Sequence, residues 1–325
     1  LLANAQRGEI DETDAKIIKE LFVDARKSFA SIAEECGVST ANISAHFSDL
    51  EKKRVIVGST VQLDYKSLGY NAVCDLFIKC DRQHDEELIA YINTMPNIYG
   101  AFKSHESTAN VKVVAILKDL KELDQTKDII KKSSYITDLR AYVWTDIKNI
   151  PENLELGSGI KKDVGSTKIP TSSITIDSID LKLIAALSKN SRTPFNEVAK
   201  DIETSMDTAS RRYKRLVQNN VIKPCIQVDV SKLGYKASAV FSIAFSSQND
   251  TKSVIKRLTE IKDTYLIIKT SGDYDIRVSV MLRNLEQFLS IRNEMESISG
   301  INRLEVNVGP VPFPLPTLSQ YITTF

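Results

Sequence analysis

Ile10-Asp11-Glu12-Thr13-Asp14-Ala15-Lys16-Ile17-Ile18 returns in the second half of the chain as Ile176-Asp177-Ser178-Ile179-Asp180-Leu181-Lys182-Leu183-Ile184. Further along each copy, Leu68-Gly69-Tyr70 returns as Leu233-Gly234-Tyr235, with the register changed by a single residue. A register held over so long a span marks duplication of one large unit, not a solenoid, whose repeats run ~20–50 residues. In each nonapeptide the first Asp can cap a helix, the second lies three residues on, and an Ile precedes them. That is a capping box with half of a hydrophobic staple. Ile17, Ile18 and Leu21, matched by Leu183, Ile184 and Leu187, then form a helical apolar stripe.

Working outward, a second short helix is expected at 29–35 and 195–202, and after a tight turn a third at 39–53 and 205–219. Three helices with a short second connection make a helix-turn-helix. Val55-Ile56 and Val221-Ile222 open extended segments, read as a two-stranded wing. The second half of each copy alternates differently. Strands at 72–80, 98–104, 111–117 and 137–147 interleave with helices at 85–94 and 120–131. Copy two repeats the series with strands at 237–246, 264–270, 276–282 and 301–308 and helices at 252–262 and 285–297. The order βαββαβ is the ferredoxin-like topology, with helices on one face of the sheet. The bare face must be covered, so two modules are expected to pack sheet to sheet.

The fold class is therefore α+β: two copies of a winged helix-turn-helix followed by a ferredoxin-like βαββαβ module. The expected boundaries are 10–62 and 63–148 for the first copy, 149–175 for a Gly-, Ser-, Pro- and Lys-rich linker, 176–227 and 228–310 for the second copy, and 311–325 for a Pro-rich tail. Pro310, Pro312, Pro314 and Pro316 exclude helix and central strand there. The apolar residues Val311, Phe313, Leu315, Leu318, Tyr321 and Phe325 fit a docked tail, and a disordered one stays open.

Composition narrows the class. Lys plus Arg is 43 against 42 for Asp plus Glu, so whole-chain charge singles out no partner and only local patches can. Cys36, Cys74, Cys80 and Cys225 show no CxxC spacing, so no metal site is expected, and they read as buried thiols in a reducing compartment. No apolar run approaches ~18 residues, which argues against a membrane span. Residues 1–9 lack the apolar core of a signal peptide. A soluble cytoplasmic protein without a cofactor is expected.

The chemistry lies on the third helices. In Ser205-Met206-Asp207-Thr208-Ala209-Ser210-Arg211-Arg212-Tyr213-Lys214-Arg215-Leu216, the residues Ala209, Tyr213 and Leu216 would face the core. Ser205 can cap the helix. Asp207, Thr208, Ser210, Arg211, Lys214 and Arg215 would face outward, with Arg212 at the border. Short polar groups near the N-terminus can reach base edges, while basic groups further along grip phosphates or guanine. The first copy has Ser39, Thr40, Asn42, Ser44 and His46 in the same helix, but Ala45, His46, Ser48 and Asp49 replace the four basic residues. Asn42 can still read adenine. Fewer phosphate contacts weaken binding and flatten its salt dependence, so the first copy is expected to bind DNA weakly or to serve as a structural arm.

Both units resemble the leucine-responsive/asparagine-operon (Lrp/AsnC, feast/famine) regulators. The resemblance rests on Ile-Asp-x-x-Asp at the first helix, on Ser205, Thr208 and Arg211 to Leu216, on Val221-Ile222 and on Leu233-Gly234-Tyr235. Gly272-Asp273-Tyr274-Asp275, between strands of the second module, completes it. It covers nearly the whole chain twice, except the linker and tail. It implies a transcriptional regulator that binds double-stranded DNA and pairs through its βαββαβ modules. It also implies an amino-acid effector held near Gly272, Asp273, Tyr274 and Asp275. Gly272 permits positive φ, and Asp273 and Asp275 can accept from an ammonium group; a plain turn would use the same residues. The first copy's loop, His105-Glu106-Ser107-Thr108-Ala109-Asn110, departs from that pattern.

The sequence leaves open whether the modules pair within or between chains. The expectation is a homodimer of chains in which the two second-copy heads read a palindrome. Two rivals are a non-DNA-binding amino-acid sensor or co-regulator and a fused siroheme decarboxylase. The latter shares the two-part unit but needs His and basic residues around a tetrapyrrole. Neither Leu63 to Ser67 nor Val228 to Lys232 contains His, and the chain holds 3.

Overall fold

A computed structural model of the chain describes residues 10–104, 106, 108–150, 153–156, 174–246 and 251–316. Two compact units emerge, and each draws on both copies. The described residues among 1–68, 151–236 and 311–325 form a head unit, and those of 69–150 and 237–310 a sheet unit.

In the head unit, α1 (Glu12–Val23), α2 (Phe29–Cys36) and α3 (Thr40–Lys52) form the first head; α6 (Ser178–Lys189), α7 (Phe195–Asp201) and α8 (Met206–Gln218) form the second. Both capping boxes are made as the sequence implies. Asp11 and Asp14 exchange backbone-to-carboxylate bonds, and so do Asp177 and Asp180. Ile17, Ile18 and Leu21 are fully buried, as are Leu183, Ile184 and Leu187. The wings differ from expectation in where their second strand comes from. After α3 comes β1 (Ile56–Leu63), and after α8 comes β6 (Ile222–Val228), and these pair antiparallel with each other, Thr60 opposite Cys225. Neither head has room for a hairpin, because a 3-10 turn follows each strand directly, at Tyr65–Leu68 and Val230–Leu233. The exchange reaches the core, where Val61 of the first copy is buried among Leu183, Leu187, Val198 and Leu216 of the second.

The heads therefore end later than the expected 62 and 227. Val230, Leu233 and Tyr235 are buried with the head, and the Leu-Gly-Tyr motif closes that turn. Gly69 and Gly234 sit at φ +85 and +88, a left-handed conformation that glycine adopts without a Cβ penalty. The linker is shorter than expected, since Leu154 and Leu156 are buried; residues 157–173 lie outside the described residues. The tail docks as far as it is described. Leu315 is buried, and its N–H and C=O bond both to Val228 of β6.

The sheet unit contains β2 (Ala72–Cys80), α4 (Asp85–Ile92), β3 (Ile98–Lys103), β4 (Val111–Leu117), α5 (Leu120–Ile130) and β5 (Ile136–Asn149) from copy one. From copy two come β7 (Ala237–Phe245), α9 (Thr251–Glu260), β8 (Thr264–Ser271), β9 (Ile276–Leu282), α10 (Leu285–Glu296) and β10 (Ile301–Gly309). Both βαββαβ modules form as expected. Alternate residues of β2 (Cys74, Leu76, Ile78) pack under α4 and α5, and Phe241, Ile243, Val278 and Val280 do the same under α9 and α10. The other faces meet as the sheet-to-sheet expectation requires, with Phe77, Ala109 and Tyr142 of one module packed against Tyr274 and Ala244 of the other.

That pairing lies within one chain, and it adds an edge joint that the sequence reading lacked. β5 outruns its partner β2 and pairs with β8 over Val143 to Asn149, giving a sheet of order β10-β7-β9-β8-β5-β2-β4-β3. β10, the counterpart of β5, stops at Gly309. Pro310, Pro312 and Pro314 have no N–H to donate, so it cannot extend to β3 and close the mirror-image joint.

Cys74, Cys80 and Cys225 are buried and Cys36 is half-buried. Burial pushes the Cys74 and Cys225 thiols up to about 12 and raises that of Cys80. An aromatic disulfide reagent at mildly alkaline pH should therefore label Cys36 rapidly and the other three only on unfolding. Rapid release of two or more equivalents from the native chain would contradict this packing.

Candidate nucleic-acid interface

Each third helix begins at a serine whose hydroxyl accepts from the backbone three residues on. Ser39 caps Asn42 N–H at 3.2 Å, and Ser205 caps Thr208 N–H at 3.1 Å. Ser205 also donates to the Thr208 hydroxyl at 2.9 Å, so those two groups are engaged locally. Ala209 and Leu216 are buried, and Tyr213 packs at the edge of the same core.

The four basic residues of α8 separate into two pairs. Arg212 donates to Asp177 at 2.8 Å and to Asp180 at 2.9 Å, and Arg215 donates to the second oxygen of Asp180. Asp180 is fully buried, and a buried carboxylate must be paired. The hydrogen bonds that Arg212 donates to Asp177 and Asp180 raise its pKa above its ordinary value. Sequence reading saw these aspartates only as a capping box. The missed signal is spacing, since two acids three apart at the start of α6, its cap Asp177 and Asp180, face two arginines three apart on α8.

What remains outward is Asp207, Ser210, Arg211 and Lys214, at i, i+3, i+4 and i+7 on one stripe. Arg211 and Lys214 are exposed and make no ion pair among the described residues. The matching stripe of α3 is Ala41, Ser44, Ala45 and Ser48, without charge. Asn42, Ser44, Ser39 and Thr40 are exposed, while His46 turns back to Asp14 at 2.8 Å.

The two heads are locked together by matched arginines. Arg26 lies 4.1 Å over the Phe195 ring and 5.2 Å from Tyr213, and its guanidinium donates to the carbonyls of Ser191 and Thr193. Reciprocally, Arg192 lies 4.8 Å over Phe29 and 4.9 Å over Phe47 and donates to the Ala25 carbonyl. The Arg-x-x-Phe spacing present in both copies was the available sign of this clasp.

In the sheet unit, the expected effector loop is tightly braced. Gly272 has φ +135, and a Cβ there would lie 2.8 Å from Tyr142. Asp273 accepts from the Tyr142 hydroxyl at 3.2 Å, and Asp275 accepts from Phe245 N–H at 2.7 Å. Tyr274 is buried with the Arg303 guanidinium 4.3 Å over its ring, and burial pushes its phenol up to about 12. One Asp275 oxygen is thus committed to the turn. In the first copy's loop, His105 and Ser107 lie outside the described residues.

A family profile described as an AsnC-type helix-turn-helix domain matches residues 176–217, and one described as winged helix-turn-helix DNA-binding matches residues 10–57. The regulatory protein AsnC of Haemophilus influenzae is 32% identical over 117 residues, covering 36% of this chain and 78% of that protein. The chain belongs to the Lrp/AsnC family. The transcriptional regulator LysM of Saccharolobus solfataricus is 29% identical over 127 residues, covering 39% of this chain and 87% of LysM. Each of these Lrp/AsnC relatives is thus about one copy long, where this chain holds two. The crystal structure of the siroheme decarboxylase NirDL matches 92% of this chain and 91% of its own with a TM-score of 0.64 and 13% identity, a likeness that shows the fold alone. Among the described residues, no helix is long and apolar enough to cross a membrane.

Proposed function

We propose that this chain is a sequence-specific, DNA-binding transcriptional regulator whose second head does most of the reading. The observation that carries this is the α8 stripe. Arg211 and Lys214 stand clear of the protein beside Ser210 and Asp207 on a capped helix, the arrangement a major-groove helix needs. Arg212 and Arg215 hold the head together instead. The first head, with a neutral stripe, adds weak contacts through Asn42 and Ser44. An amino-acid effector bound near Gly272, Asp273 and Tyr274, with double-stranded DNA and a second copy of the chain as macromolecular partners, completes the reading. No catalytic role is part of it.

The test is enrichment from a random-sequence duplex pool at two salt concentrations. Arg211→Ala/Lys214→Ala should abolish enrichment and flatten the log–log salt slope by roughly 2. Asn42→Ala/Ser44→Ala should leave both near parental values. Equal losses from both variants would overturn the assignment of the second head. Absence of binding at low salt would remove the regulator reading and favour the sensor. The whole-chain fold likeness to NirDL keeps one enzymatic reading in play, and a changed siroheme absorbance on mixing would support it.

A further inference from the structure

In the register of the duplication, Asp11, Asp14, His46 and Asp49 stand where Asp177, Asp180, Arg212 and Arg215 stand in the second head. The second head balances two carboxylates with two guanidiniums. The first sets three carboxylates against one imidazole and has lost both cations. The Asp14 side chain is only 10% exposed, so its charge is poorly solvated. Asp49, 63% exposed, is served by Lys52 at 3.6 Å, but no Lys or Arg of the described residues forms an ion pair with Asp11 or Asp14.

The capping box aims the remaining oxygens. Asp11 Oδ1 accepts from Asp14 N–H at 2.8 Å, and Asp14 Oδ2 accepts from Asp11 N–H at 3.2 Å. That leaves Asp11 Oδ2 and Asp14 Oδ1, which lie 3.8 and 2.8 Å from His46 Nδ1. The three residues' ligand atoms all lie within 4.8 Å of one another. Adjacent ligands of a tetrahedral or octahedral ion with bonds of ~2.0–2.2 Å are roughly 2.9–3.5 Å apart. The two measured separations bracket that range.

We propose that Asp11, Asp14 and His46 bind a divalent transition-metal ion of the zinc, nickel or cobalt class. Two observations meet here: the geometry of three donors, and a cation, the Arg212 guanidinium, held by the equivalent aspartates at 2.8 and 2.9 Å. One imidazole with two carboxylates suits borderline metals better than calcium or magnesium, which prefer all-oxygen shells. Water completes the coordination, since Asp11 is exposed. The ion ties the start of α1 to the middle of α3, as Arg212 ties α6 to α8. Sequence reading searched cysteine spacings for metal sites and passed over this one, because its ligands come from two helices brought together only by the fold.

The experiment is titration of the chelator-stripped full chain with Co2+, read by visible ligand-field absorbance and checked by calorimetry with Zn2+. One equivalent should bind. His46→Ala should weaken binding about tenfold or more. His46→Arg, which rebuilds the second head's ion pairs, should abolish binding while folding with a Tm at or above the parent. His84→Ala, at a side chain of the sheet unit stacked on Tyr135, should bind as the parent does. Absence of a saturable equivalent, or equal binding by the parent and both His46 variants, overturns the proposal. So does cobalt absorbance that follows Cys36→Ser instead.

Discussion

Asp75→Ala should destabilise the sheet unit by about 3–5 kcal/mol, the usual cost of stranding a buried charge. Asp75 is fully buried on the face of β2 that meets the second module. Lys112 Nζ lies 3.2 Å from one carboxylate oxygen and Arg277 Nη1 lies 4.0 Å from the other. Arg277 also donates to Glu106 at 2.6 Å, and its guanidinium sits 4.5 Å over the Phe77 ring. Lys112 and Arg277 occupy matched places on β4 and β9, while the second-copy counterpart of Asp75 is Val240. Two acids thus serve two cations between the sheets, and removing one acid leaves an excess positive charge shared by the buried Arg277 and the half-buried Lys112.

The variant should also show a pH dependence over a wider window than the parent's. Burial already lowers the Lys112 pKa, and Asp75 opposes that shift. Without Asp75 the folded pKa falls further below the unfolded value, so the unfolded state binds more protons. Stability of the variant then rises with pH through the window between its lowered value and the ordinary lysine value. Trp144, the one tryptophan of the chain, lies on β5 and reports on this unit in urea. Asp75→Val/Lys112→Met, which removes the pair together, should cost far less than Asp75→Ala. A loss under ~1 kcal/mol for Asp75→Ala would show that the charges are compensated by other means.

Arg26→Ala/Arg192→Ala should have a comparable effect on the head unit, about 2–4 kcal/mol for each arginine. Each change removes a desolvated cation–π contact of ~2 kcal/mol and charge-assisted bonds to carbonyls of the other head. Burial lowers the pKa of both guanidiniums, and neither is replaceable by lysine, which lacks the planar fork and stacking face. Arg26→Lys/Arg192→Lys should therefore recover little of the loss. The readout is helix content on urea unfolding together with exposure of Cys225. If the lysine pair matches the parent, charge alone holds the heads and stacking is incidental.

Local pattern carried much of this architecture. The bounds of β2, β4 and β9 follow their alternating apolar residues, and the capped helices begin at the serines and aspartates that cap them. Three features were not legible, and each depends on partners distant in sequence. β1 and β6 read as the start of two hairpins because extended character does not reveal which strand completes the pair. Arg215 read as outward and Arg212 as bordering the core because helical phase places them near the polar face, while the buried Asp180 that claims them lies on α6. The length of β5 past β2 became meaningful only once β8 was seen beside it. The site was legible to the level of its helix, and the division of its cations into structural and free was not.

The strand pairing of β1 with β6 has a consequence for dosage. In a protein whose two heads arrive on separate chains, assembly is second order, and the active fraction falls as the cell dilutes it. Here the partner strand is tethered at an effective concentration on the order of millimolar, so pairing of the two heads is first order and does not weaken as the chain is diluted. A substitution in one head is also not imposed on the other, whereas a symmetric dimer suffers every change twice. That freedom permits the difference seen between the uncharged α3 stripe and the basic α8 stripe.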